Sequence, residues 1–296
     1  MRPRLPLLLL LLAAIPAPSA AQGRVERGLA ISPEAAVRVF NLAGTVRVTT
    51  WDRDSIAVTA SVPKGGGTFY FGGSAAAVKM SVEPPPGVAT VPGSVIEVKV
   101  PPRTRVWVKT ESAEILVGGL TGSVDLSTVS GRIWVEGRLR QLAAESMDGS
   151  VQVDGDHALV RLRSASGTLV LRGTAEDVTL TTVSGTVAVG ARRLGRGRFE
   201  SVSGGISFKS GLAPGGSFTF ESHSGDIELR LSPSADAALD LTAVEGRVVN
   251  EYSDQPVRAG RNGKGQVLSL FRGQGAADVV ARTFKGTITV LAQTIP

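Results

Sequence analysis

Short runs of alternating apolar and polar residues fill this chain, and from Gly131 onward they fall into a fixed frame. After Gly131, Gly149, Gly167 and Gly185 the second and fourth residues are apolar: Ile133 and Val135, Val151 and Val153, Leu169 and Leu171, Val187 and Val189. Ahead of the glycines, Val124 and Leu126, Leu142 and Ala144, Val160 and Leu162, and Val178 and Leu180 alternate in the same way, continued by Phe218, Phe220, Leu239 and Leu241. A period of two marks a strand with one face buried. The glycines recur every 18 residues, then at wider spacing as Gly204, Gly225, Gly246 and Gly286. A strand pattern repeated every 18–21 residues or so predicts an all-β protein, a parallel β-solenoid (β-helix-like) of about eight to ten turns. Stacked turns share a core that no single turn could bury.

The corners have a spelling of their own. Thr-Val-Ser, Ser-Ala-Ser, Thr-Val-Ser, Ser-Val-Ser and Ser-His-Ser precede Gly131, Gly167, Gly185, Gly204 and Gly225. Glycine opens backbone angles closed to other residues, so its recurrence at each change of direction reads as a steric requirement. The serines one residue earlier, Ser130, Ser166, Ser184, Ser203 and Ser224, would stack ~4.8 Å apart and hydrogen-bond to neighbouring backbone. No His or Lys is placed to activate them, so the column reads as structural.

Residues 22–94 read as an irregular, β-rich N-terminal cap to the solenoid of residues 95–296. Val37–Phe40, Thr45–Val48 and Ile56–Val62 alternate, and Asn41-Leu42-Ala43-Gly44 looks like an isolated first copy of the corner. The Gly- and Pro-rich stretch 63–93 reads as an insertion or long loop, uncommon in a compact domain and therefore a site candidate. Residues 1–21 read as a secretory signal peptide: Arg2 and Arg4, a leucine-rich run to Ile15, and Ser19-Ala20-Ala21 before Gln22. The run falls short of the ~20 residues a bilayer span needs, although retention as an uncleaved anchor is the alternative. The expectation is an exported chain, periplasmic or secreted to the surface, with no transmembrane span once the signal is removed.

Composition narrows the chemistry. The chain has no Cys and two His, which excludes disulfides, thiol catalysis and thiolate metal sites. Net charge is +6, and removing residues 1–21 takes away two arginines and no acid, leaving +4. That balance favours anionic partners such as lipid headgroups or acidic glycans, or serves only for solubility. Asp148, Asp154, Asp156 and His157 are the best acid cluster, but they show no calcium repeat and no defined carboxylate pair, so catalytic residues, metals and cofactors are not expected. Nucleic acid is not expected either, for want of aromatics interleaved with a basic groove.

Val98-Lys99-Val100-Pro101-Pro102-Arg103-Thr104-Arg105-Val106-Trp107-Val108-Lys109-Thr110, the Ser-Gly repeats, and the closing Arg282-Thr283-Phe284-Lys285-Gly286-Thr287-Ile288-Thr289-Val290 together resemble the DUF4097 family. These are bacterial β-strand-repeat proteins, also called toast-rack or adhesin-like domains, and the similarity runs from Val37 to Leu291. The resemblance implies a parallel β-solenoid of exported or membrane-associated proteins, some adhesin-like and some tied to envelope stress sensing. It implies no catalytic signature.

Two surface features are candidate ligand-binding sites. Leu116, Trp134 and Val170 share an outward column, an apolar platform for sugar rings or a partner protein, or else a face covered by the N-terminal segment or the 63–93 stretch. Arg192, Arg193, Arg196 and Arg198 form the one basic cluster, read as an anion-binding turn or an exposed loop. On the other wall Glu145 is expected beside Arg161 and Arg163 as register-setting charge. The leading reading is a non-enzymatic cell-envelope or surface interaction module that binds envelope glycan, anionic lipid or an envelope protein. A periplasmic envelope-stress sensing or assembly component is the alternative, and a polysaccharide-active β-helix enzyme a remote one.

Overall fold

The computed structural model describes residues 23–260 and 263–295; the expected signal segment 1–21 lies outside them. Strands begin with β1 (Arg24–Ala30), β2 (Ala36–Asn41), β3 (Gly44–Thr50), β4 (Ser55–Ser61), β5 (Thr68–Gly73), β6 (Ala77–Glu83) and β7 (Ser94–Val100). The regular coil follows with β8 (Arg105–Thr110), β9 (Glu114–Gly118), β10 (Ser123–Thr128), β11 (Ile133–Gly137) and β12 (Gln141–Ser146). Three long strands come next, β13 (Val151–Ser164), β14 (Leu169–Thr182) and β15 (Val187–Ser201), then β16 (Ile206–Leu212), β17 (Ser217–Ser222) and β18 (Ile227–Leu231). The chain closes with β19 (Ala237–Ala243), β20 (Arg247–Glu251), β21 (Arg258–Ala259), β22 (Gln266–Arg272), β23 (Ala277–Thr283) and β24 (Thr287–Ala292).

These strands build two parallel walls. The front wall, made of strands that precede a corner, runs β6, β2, β8, β10, β12, the second halves of β13, β14 and β15, then β17, β23 and β19. The back wall runs β7, β3, β9, β11, the first halves of β13, β14 and β15, then β16, β18, β24 and β20. Alternate side chains of both walls point inward and form one contiguous core, with Val124, Leu126, Ile133 and Val135 all buried. The chain is all-β, and the solenoid has eleven rungs among the described residues, against the eight to ten expected.

Both ends depart from sequence order. The pair β2/β3 packs inside β6/β7, directly on β8/β9, so the corner at Asn41–Gly44 is not isolated but stacks in register on the next one. At the other end β23/β24 inserts between β17/β18 and β19/β20. The stretch 63–93, expected as a loop, carries the antiparallel hairpin β5–β6, whose Val78 and Met80 sit against Val37 and Val39 in the core. Its prolines and most of its glycines fall in the turns that flank these strands, with Gly72 and Gly73 closing β5, which is why composition alone read as a loop. Antiparallel strands blunt both poles: β1 and β4 beside β7, β5 beside β6, and β22 and β21 beside β19. Such caps keep parallel edges from pairing with other chains.

The corner glycines are required for a reason other than backbone angle. None of Gly131, Gly149, Gly167, Gly185, Gly204, Gly225, Gly246 and Gly286 has positive φ. A Cβ built on Gly149 would instead lie 2.0 Å from the carbonyl oxygen of Gly131, and one on Gly167 2.0 Å from that of Gly149. Each corner rests on the carbonyl of the corner below. At most corners the hydroxyl that holds the bend is three residues before the glycine: Gly131 N–H donates to Thr128 Oγ1 at 3.1 Å, Gly149 to Ser146 Oγ at 2.8 Å and Gly167 to Ser164 Oγ at 2.8 Å, while Ser201 Oγ before Gly204 is buried without a partner. The expected serine column is exposed and adds longer bonds to the rung below, as from Ser184 Oγ to Ala165 O at 3.4 Å.

Candidate functional site

The return bend, where a back-wall strand passes into the next front-wall strand, carries a second glycine column that the sequence reading missed. Gly137, Gly155 and Gly173 also lie 18 residues apart and take φ of 138°, 127° and 111°, a region that favours glycine. A Cβ on Gly173 would fall 1.8 Å from the Gly155 carbonyl oxygen. The residues that follow these glycines, Arg138–Arg140, Asp156–Ala158 and Thr174–Glu176, line a groove of about 990 Å³. Its walls come from six successive rungs, from Thr121 to Ser217, which at ~4.8 Å per rung makes it roughly 24 Å long.

Leu139, Ala158, Ala175 and Pro214 supply an apolar lining, and Arg138, Arg140, Arg193 and Arg196 the cationic groups. Asp156 and Glu176 lie between them. Asp156 is already committed: it accepts from Thr174 Oγ1 at 2.6 Å and from Arg192 at 3.0 Å, with Arg138 at 3.8 Å. The Thr174 hydroxyl above all holds its carboxyl below the usual carboxylate range; desolvation opposes it, and the Arg192 and Arg138 guanidiniums add to the lowering. Arg196 pairs with Asp177 at 3.5 Å, whereas Arg140 and Arg193 have no carboxylate within 4.0 Å among the described residues.

The basic cluster is therefore not a turn. Arg192–Arg198 lies within β15, and its members part company: Arg193 and Arg196 line the groove, Arg192 reaches back to Asp156, and Arg198 joins Glu200 and Glu221 on the front wall. Arg192 is the additional residue of a bulge where β14 and β15 shift register, which accounts for the 19-residue step from Gly185 to Gly204. The front-wall charges at Glu145, Arg161 and Arg163 stand in register on adjacent strands, but none is within 4.0 Å of its expected partner; the ion pairs on that wall centre on Arg198.

Leu116 and Trp134 are on neighbouring rungs of one outward column, with Gln152 between Trp134 and Val170. Among the described residues neither the N-terminal strands nor the 63–93 stretch covers Trp134, which is 44% exposed and whose indole N–H donates to Asp154 at 3.2 Å. Asp154 also accepts from Gln152 and Arg172, so it serves this back-wall face, while Asp148 sits at a corner accepting from Ser166. The four acid-cluster residues do not converge. Among the described residues no group of three His, Asp or Glu side chains is placed to hold a metal ion.

His157, at the groove wall, is only 5% exposed. Its Nδ1 accepts the Leu139 N–H at 3.2 Å, which leaves the proton on Nε2, a buried atom without a partner. Burial pushes its pKa below the ordinary histidine value, outweighing the raising effect of Asp156 and Asp154. The unfolded chain therefore takes up this proton first as pH falls, and stability present above pH ~6.5 is lost below it. Denaturation between about pH 7.5 and about pH 5.5 will show a smaller loss of stability in His157→Gln than in wild type.

The corner edge holds a further feature absent from the sequence reading. The middle residues of the corner triplets stack outward as Val129, Met147, Ala165, Val183 and Val202, each linked to the next by backbone bonds such as Met147 N–H to Val129 O at 3.1 Å. Met147 is 57% exposed and Val183 53%. In the sequence each of these residues stands two positions before a corner glycine, as Val in Thr-Val-Ser-Gly and Met in Ser-Met-Asp-Gly.

A model of the Toastrack DUF4097 family matches residues 43–291. The chain belongs to that family. No curated protein sequence matches it. Among solved structures this Toastrack chain is similar to a "putative adhesin" of Bacteroides fragilis, with 14% identity and a TM-score of 0.51, covering 91% of this chain and 98% of the other. A "putative adhesin" of Parabacteroides distasonis follows at 9% identity and TM-score 0.46, covering 91% and 97%. A "putative lipid binding protein" of the same species has 11% identity and TM-score 0.43, covering 91% and 97%. At 14% identity the likeness to the Bacteroides fragilis structure is one of fold, and it agrees with the Toastrack solenoid described above. No helix among the described residues is long and apolar enough to cross a membrane.

Proposed function

We propose that this Toastrack protein is an exported, non-enzymatic binding module of the cell envelope or surface, and that its return-bend groove takes a linear anionic polymer such as an acidic glycan. The observation that carries the reading is the groove itself, in which Arg140 and Arg193, with no carboxylate within 4.0 Å among the described residues, stand beside an apolar lining. Backbone amides in the bend are consumed by the rung ladder, as in Ala158 N–H to Leu139 O at 3.0 Å, so recognition falls to side chains and an added peptide strand has nothing to pair with. A recess several rungs long suits an extended chain better than a planar surface. The name of the Bacteroides fragilis structure, a "putative adhesin", agrees with a surface-binding role. Trp134 on the exposed back wall is a secondary contact proposed for sugar rings, with Leu116 and Val170 beside it.

The test is retention of the chain from Gln22 onward, which contains every described strand, on lipopolysaccharide, peptidoglycan and polygalacturonate. Saturable retention is expected on an anionic polymer at about 0.1 M salt and its loss at about 1 M, as the Debye length falls from ~10 to ~3 Å. Arg140→Ala combined with Arg193→Ala is expected to weaken retention about tenfold with an unchanged melting temperature. Retention that ignores both salt and these substitutions would move the site elsewhere.

A further inference from the structure

The exposed corner ridge does not contribute to the groove, and its surroundings point to a different partner. Val129, Met147, Ala165, Val183 and Val202 occupy five consecutive rungs, an apolar stripe of roughly 19 Å on a convex edge. On its back-wall side the neighbouring exposed positions are Ser130, Asp148, Ser166, Ser184 and Ser203, where the one charge, Asp148, accepts from Ser166 Oγ at 2.9 Å; past the corner glycines Ser150, Thr168, Thr186 and Gly205 carry none. Contiguous exposed aliphatic side chains of this kind mark an interaction surface. A ridge one side chain wide is too narrow to supply by itself the ~800 Å² per partner of a stable protein interface.

At its N-terminal end the ridge runs into a cleft of about 460 Å³, where Val129 meets Phe40, Leu42, Val82 and Pro84. Lys79 and Lys109 stand at this cleft, and Arg38 lies on the strand between theirs. None of the three has a carboxylate within 4.0 Å among the described residues; Lys79 sits over the Phe40 ring at 5.4 Å and Arg38 over Trp107 at 5.6 Å. Farther along the same wall Arg198 is paired with Glu200 and Glu221, whereas Arg161 and Arg163, like the cations of the cleft, have no carboxylate within 4.0 Å among the described residues but have no apolar cleft beside them. Glu83 and Glu111 border the cleft on its corner side. Aliphatic groups on a convex edge, with aromatic rings and unpaired cations on the adjoining flat face, are the pairing of apolar insertion and phosphate attraction that a bilayer surface selects.

We infer that the corner ridge and the Lys79/Lys109 cleft form a peripheral docking surface for a bilayer containing anionic phospholipid. The aliphatic residues enter the headgroup boundary and the lysines face lipid phosphates. The surface is separate from the groove, so the protein can hold a polymer and a membrane at once.

Vesicle flotation decides this, using the chain from Gln22 onward with phosphatidylcholine vesicles with or without phosphatidylglycerol. Wild type is expected to float with the mixed vesicles at least tenfold more strongly than with phosphatidylcholine alone. Met147→Asp combined with Val183→Asp should lose at least tenfold on the mixed vesicles while keeping its melting temperature and any retention by an anionic polymer. Lys79→Glu combined with Lys109→Glu should abolish the preference for the anionic lipid. No flotation of wild type, or flotation unchanged in the ridge variant, overturns the inference. A ridge-dependent dimer in light scattering without vesicle binding also overturns it and assigns the ridge to a second copy.

Discussion

Gly167→Ala is expected to destabilise the protein by more than ~3 kcal/mol, although it adds one methyl group at a residue with ordinary backbone angles. The methyl would stand 2.0 Å from the Gly149 carbonyl oxygen, 2.6 Å from its carbon and 2.9 Å from Ser164 Oγ, the atom that receives Gly167's own N–H at 2.8 Å. Relief requires the two rungs to part, which would weaken ladder bonds on both walls at once because β13 and β14 are paired along thirteen positions. Stacked repeats are stabilised chiefly through nearest-neighbour interfaces, so a lesion between two central rungs divides the coil. Gly205→Ala is the control. A Cβ there meets nothing nearer than the Asp226 carbonyl at 3.8 Å, so the change should lie within about 0.5 kcal/mol of neutral or be slightly stabilising through the unfolded chain. Urea denaturation of the two variants beside wild type measures both. Equal effects would mean that the column is not set by carbonyl contact.

The same contact explains why so much of the fold was legible. A glycine fixed by the rung beneath it must recur at the length of one rung, and the strands between such glycines must keep their inward alternation or lose the shared core. Ile133, Val151, Leu169 and Val187 are accordingly stacked and buried where the pattern puts them. What the frame does not carry is neighbour order at the ends. β23 reads like any front-wall strand, with Val279 and Ala281 inward, and nothing local distinguishes pairing with β17 and β19 from stacking outside them. β6 was hidden by its turns, since Val78, Met80 and Val82 alternate as plainly as any counted strand. The sites were harder to read for a different reason. The groove collects residues from six rungs whose shared feature is a place at the return bend, and the corner ridge is one letter in each triplet, overshadowed by the serine and glycine that follow it. Spacing identified Arg193 and Arg196 as basic, but only the bulge at Arg192 shows why they and Arg198 face different surroundings.

Phe220→Ala is the second substitution expected to be severe, at about 3–5 kcal/mol. The wider steps from Gly185 to Gly204 and from Gly204 to Gly225, 19 and 21 residues, put more chain into these two turns than the regular 18. Four phenylalanines fill this part of the core: Phe199 from β15, Phe208 from β16, and Phe218 and Phe220 from β17, all fully buried. Phe220 joins the other walls of the cluster, stacked on Phe199 with ring centroids 4.8 Å apart and edge-on to Phe208 at 4.9 Å. Its removal leaves a void that the neighbouring rungs cannot close, since each is held in register by its own ladder. The stacked pair should show a coupling of about 0.5–1.5 kcal/mol in a double-mutant cycle with Phe199→Leu and Phe220→Leu. Phe199 lies on the strand that carries Arg193 and Arg196 to the groove, so Phe220→Ala should also weaken polymer retention at temperatures below its unfolding transition. A fall in stability without any change in retention would show that the arginines are held by the return bend alone, independently of the aromatic core beneath β15.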